Sequence, residues 1–97
     1  MRMEVSFDSG KNERNIRERG LSFELAAELD FETALFQPDT RRDYGEQRVR
    51  VLGRPKGRVH ALVFVETPRG IRVISFRKAN AREVHIYEQE TQDPTRR

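Results

Sequence analysis

The chain contains no cysteine, which excludes disulfides, thiolate metal sites and cysteine nucleophiles and is compatible with an intracellular setting. It has only two histidines, His60 and His85, separated along the chain. That is too few for a dedicated metal centre, and neither metal nor cofactor is expected. Long apolar runs are missing as well. No stretch approaches the roughly 18 apolar residues of a membrane span, and the start, MRMEVSFDSG, lacks the apolar centre of a secretory signal. No membrane association is expected, and the cytoplasm is the expected location. The hydrophobic fraction, 35%, is no larger than the charged fraction, 36%. The apolar residues nevertheless gather into segments, so a folded core is expected. A chain of 97 residues has room for one domain, expected over residues 1–90, with residues 91–97, TQDPTRR, as a disordered tail.

What is present is positive charge, unevenly placed. The net charge is +3, but residues 1–40 hold five basic and nine acidic side chains, whereas residues 41–58 hold seven basic and two acidic. An excess of this kind suits a polyanion, because each neutralised phosphate releases condensed counterions. It equally suits a solvated surface.

The segment pattern is mixed. Met3 to Phe7 reads as a strand with Val5 and Phe7 on one face. DSGKNERNIRERG reads as a polar helix capped by Asp8 or Ser9 and closed by Gly20. Ser22 starts a second helix, with Phe23, Ala26, Ala27 and Leu29 as its apolar positions, ending before Pro38. From Gln47 the period becomes two: QRVRVLG, VHALVFVE and IRVISFR, joined by the turns GRPKG and TPRG, form a meander. Asn80 and Glu83 have capping-box spacing for a last helix carrying Val84 and Tyr87. The expected fold is therefore α+β in the order β-α-α-β-β-β-α: a small antiparallel sheet of about four strands, two N-terminal helices packed on one face, and a C-terminal helix.

At the last strand-to-helix seam stand Arg77, Lys78 and Arg82. Arg82 falls in a first helical turn, where a cation opposes the helix dipole. A bound phosphate would relieve that conflict. Strand alternation puts Arg77 on one face with Ser75 and Val73, and Arg72 on the other with Ile74 and Phe76. The two can serve one site only if a bulge intervenes.

Three motifs, FDSGKNERNIRERGLSFELA, YGEQRVRVLG and GIRVISFRKANAREVHIYE, spread in this order from about Phe7 to Glu88, resemble the BrnT family of type II toxin–antitoxin toxins. Arg19 stands where that family usually has histidine. The resemblance implies a RelE-like fold and RNA cleavage that stops translation. It also implies a BrnA-type antitoxin with a ribbon-helix-helix DNA-binding part, so that operator DNA would be met only through the toxin–antitoxin complex.

Metal-independent RNA cleavage needs a base for the 2′-hydroxyl and cations around the pentacoordinate phosphate. Glu46 is the candidate base, with a surface ion pair to Arg48 as its plain structural role. Arg48, Arg58 and Arg77 are candidate phosphate clamps, since guanidinium binds two phosphate oxygens and stays charged. Lys11 is a further catalytic candidate on the first helix, and Arg48, Lys78 and Arg82 are candidate RNA-binding residues. His60 and His85 are read as packing residues, Tyr87 as an anchor of the last helix, and Glu83 and Glu88 as cap and surface. A competing reading is a non-catalytic basic module that docks an acidic protein or structured RNA. Its discriminating feature is Glu46, a carboxylate for which a simple phosphate-binding patch has no use.

Overall fold

The computed structural model describes residues 3–38 and 45–91. Its elements are strand β1 (Glu4–Phe7), helix α1 (Ser9–Arg19), a 3-10 helix (Phe23–Glu28), strands β2 (Leu35–Pro38), β3 (Val49–Gly53), β4 (His60–Thr67) and β5 (Gly70–Lys78), and helix α2 (Ala81–Thr91). The strands form one sheet in the order β1-β5-β4-β3-β2. The α+β class is as expected, but the sheet has five strands rather than four. The additional strand is β2, whose sequence LFQP is too short for alternation to register. As an edge strand it tolerates Pro38. The sheet is also not purely antiparallel: β1 pairs with β5 in parallel, Glu4 opposite Gly70 and Phe7 opposite Val73. No hairpin joins these two strands, so local sequence does not dictate their relative direction.

The second helix is a single 3-10 segment, FELAAE. Its two fully buried residues, Phe23 and Ala26, are three apart, the period at which 3-10 side chains eclipse. With Leu21 and Leu29 they pack on Val51, Leu62, Phe64, Ile71, Val73 and Phe76 to form the main core on one sheet face. On the opposite face α2 covers one end of the sheet, where Tyr87 and Val84 meet Leu52, Val59, Ala61 and Leu35.

Helix α1 has the expected ends: Asp8 accepts from the Lys11 amide at 2.9 Å, and Gly20 closes the helix at φ 66°. None of its residues is buried, and polar bonds hold it instead. β1 pairs with β5 only as far as Val73. Beyond that point Asn15 Nδ2 donates to the Phe76 carbonyl at 2.9 Å and to the Leu21 carbonyl at 3.0 Å, while Asn12 Oδ1 accepts from the Phe23 amide at 2.7 Å.

Between β4 and β5 the register slips: Val63 faces Ser75, but Phe64 faces Val73. Ile74 is thus a bulge residue, two residues of β5 opposing one step of β4. Residues on either side of it keep face assignments that simple alternation would reverse. No helix among the described residues is long and apolar enough to cross a membrane. Of the segment expected as a tail, residues 91–97, Thr91 is the last residue of α2. Residues 92–97 lie outside the described residues.

Candidate nucleic-acid interface

The sheet face opposite the main core is covered by α2 at one end only. Cross-strand pairs share this face: Leu35, Leu52, Ala61 and Arg77 form the row that α2 covers, and Gln37, Arg50, Val63 and Ser75 the next, uncovered row. Because of the bulge, Arg72, opposite Val65, lies on this same face. The expectation that Arg72 and Arg77 occupy opposite faces is therefore corrected, as is the grouping of Val73 with Arg77. Val73 and Phe76 are both in the main core.

Two carboxylates organise the arginines of this face. Glu46 accepts from Arg48 Nε at 3.3 Å and from Arg72 Nη2 at 2.9 Å. Glu83 receives both terminal nitrogens of Arg77, at 2.8 and 2.9 Å, and Arg50 Nη2 donates to its Oε2. The two acids differ in exposure: the Glu46 side chain is 30% accessible, that of Glu83 only 7%. Glu83 is also the expected cap, since its Oε1 accepts from the Asn80 amide at 2.9 Å and its own amide donates to Asn80 Oδ1 at 2.8 Å. The Arg77 guanidinium, above all, and these further donors outweigh burial and lower its pKa from the ordinary 4.5 to about 2.

Of the residues singled out from sequence, Glu46, Arg48 and Arg77 lie on this face, Glu46 and Arg48 as an ion pair and Arg77 in the separate cluster of Glu83. The other four do not. Lys11 is exposed on α1, Arg58 is exposed in the turn before β4, and Arg82 is exposed in the first turn of α2. Lys78, one residue beyond Arg77, belongs to the other face, opposite His60, and borders an open depression with Arg19 and Leu21. Sequence reasoning missed Arg50, Arg72 and the ion pairs of Glu83. Arg50 was within reach, because in QRVRVLG it stands two residues from Arg48, both alternating with valines.

The remaining polar candidates have structural roles. His60 is buried, its Nδ1 bonding the Arg58 carbonyl at 2.8 Å and its ring 5.3 Å from that of Phe76. His85 is exposed on α2. Tyr87 anchors α2 with the Arg54 guanidinium 5.3 Å above its ring, and Glu88 pairs with Arg54 at 3.6 Å. Among the described residues no group of histidines and carboxylates could hold a metal ion.

An open sheet face lined with arginines, each carboxylate bridging a pair of them, suits a phosphodiester backbone. A family model described as "Ribonuclease toxin, BrnT, of type II toxin-antitoxin system" matches residues 7–83, a span that includes β2 to β5, Glu46 and Glu83. Comparison with curated proteins and with solved structures gave no match. On the strength of the family match, which covers most of the chain, the protein belongs to the BrnT family of ribonuclease toxins of type II toxin–antitoxin systems.

Proposed function

We propose that the arginine face cuts RNA without metal, using the substrate's own 2′-hydroxyl as nucleophile. The observation that carries this reading is the placement of an accessible carboxylate, Glu46, between Arg48 and Arg72 on the face that also bears Arg50 and Arg77. An ionised carboxylate has about four acceptor positions, so Glu46 can accept the 2′-hydroxyl proton while still held by an arginine. The freed oxygen attacks the adjacent phosphorus, and the P–O5′ bond breaks. The 5′-oxygen takes a proton from solvent, leaving a 2′,3′-cyclic phosphate and a 5′-hydroxyl. Guanidinium groups of Arg77, Arg50 and Arg72 stabilise the extra negative charge of the pentacoordinate state. Arg58, Lys78, Arg82 and Lys11, away from the ion-paired cluster, serve phosphates farther along the strand rather than the scissile one.

In this reading the protein acts in the cytoplasm, where cutting RNA inhibits translation. A BrnA-type antitoxin with a ribbon-helix-helix part restrains it and reads operator DNA for the complex. The RelE-like fold implied by the motif resemblance is consistent with catalysis on a sheet face. Incubating the purified protein with a defined RNA in EDTA, with and without ribosomes, tests the reaction. A cyclic-phosphate product is expected. Intact RNA in both conditions would leave a binding module as the better account.

A further inference from the structure

We infer that Glu83 is a positioning residue for RNA cleavage: it fixes Arg50 and Arg77, which come from strands separated by β4, as a pair aimed at one phosphate. This rests on the reading of the arginine face given above. A capping box needs one carboxylate oxygen and no arginine, and the Asn80 amide already supplies that contact through Oε1. Oε2 is left to receive Arg77 Nη2 and Arg50 Nη2. Without the acid, two guanidiniums on adjacent rows of the sheet would repel each other and swing apart. With it, they stay together while their side chains remain 25% and 35% accessible. A guanidinium has five N–H donors, and the contact with Glu83 engages Arg50 through Nη2 alone, so donors remain for a phosphate.

The contrast with Glu46 strengthens the assignment. Glu46 is accessible enough to exchange its partners for substrate, whereas Glu83 is buried under α2, rooted in the first turn of that helix, and stays ionised well below neutral pH. One carboxylate is placed to react and the other to hold.

A double-mutant cycle on RNA cleavage in EDTA decides the matter, using wild type, Glu83→Gln, Arg77→Ala and the double variant, with folding checked by thermal melts. Glu83→Gln should lower kcat by about 10²-fold, the scale of a misplaced catalytic group, with a smaller change in KM. In the Arg77→Ala background the same change should cost much less, because one of the groups that Glu83 holds is already gone. Equal losses in both backgrounds, tracking the folded fraction, would reduce Glu83 to a structural cap and overturn the inference. If Glu83→Gln does not fold, Glu83→Asp keeps the charge but draws the arginines back. Wild-type kcat in that variant would also overturn it. Should wild type itself fail to cleave RNA, the ribonuclease reading of this face fails by itself. The same cycle read on affinity for a 2′-deoxy oligonucleotide then decides whether Glu83 positions the arginines.

Discussion

Replacing Glu83 by glutamine removes a charge and little volume, so the stability difference between the two proteins isolates the ionised carboxylate. Folding lowers the pKa of this group from 4.5 to about 2. The folded chain therefore holds the charge where the unfolded chain has already bound a proton. The stability this contributes is complete above about 4.5, declines as pH falls from there, and is gone once pH is below about 2. The gap corresponds to roughly 3 kcal/mol, a substantial part of the ~5–15 kcal/mol total typical of a domain. Urea unfolding of both proteins at a series of pH values should show wild type ahead by roughly that amount at neutral pH. The two should converge as pH falls below about 2, where Glu83 becomes as neutral as the glutamine. Other carboxylates titrate in both proteins and cancel in the difference. A gap that persists unchanged at the acid end would mean that shape or the cap, rather than the ion pairs with Arg77 and Arg50, stabilises this end of α2.

Four further outcomes follow from the same geometry. Glu46→Gln should reduce cleavage by roughly 10²–10⁴-fold, the contribution of general-base catalysis, while RNA affinity holds or rises. Its ion pairs are partly exposed, so stability should change by at most about 1 kcal/mol, and equal cleavage rates at saturating RNA would remove Glu46 from the mechanism. Arg77→Ala, expressed alone in bacteria, should relieve growth inhibition by the wild-type chain, and undiminished toxicity of a folded variant would count against the site. Gly70→Ala places a Cβ 2.0 Å from the Glu4 carbonyl oxygen, and should cost about 1–3 kcal/mol as β1 is pushed off β5. Wild-type stability in urea would contradict the parallel pairing. Asn15→Ala leaves the Phe76 and Leu21 carbonyls without that donor and should cost about 1–3 kcal/mol, whereas an unchanged melting temperature would show that α1 is held by other contacts.

Features of the chain that depend on near neighbours were legible from sequence. The caps of α1, the capping box of Asn80 and Glu83, and the meander from β3 to β5 all follow from residues within a turn or a hairpin of one another. What escaped depends on contacts that span the chain. Strand β2 exists because Leu35 and Phe36 meet Leu52 and Val51, and β1 pairs in parallel with β5, the far strand of the meander, more than 60 residues along the chain. The main core depends on Phe23 and Ala26, whose spacing reads equally well as one turn of an α-helix.

The site turns on a single residue that carries no signal of its own. Ile74 is an ordinary β-branched strand former, and nothing in VISFRK marks it as the position where β5 gains a residue relative to β4. Yet the slip at Val63 and Phe64 reverses the face of everything after it. Without the bulge, the alternation that puts Val73 in the core would also put Ser75 and Arg77 there, and would leave Phe76 in solvent. With it, Val73 and Phe76 both reach the core, and Arg72, Ser75 and Arg77 share the open face. Core burial therefore selects the bulge, since burying Phe76 and excluding Arg77 are both favourable. The gathering of arginines from β3 and β5 around Glu46 and Glu83 is a consequence of that hydrophobic choice. Strand pairing on one side of the sheet thereby assembles the charged surface on the other.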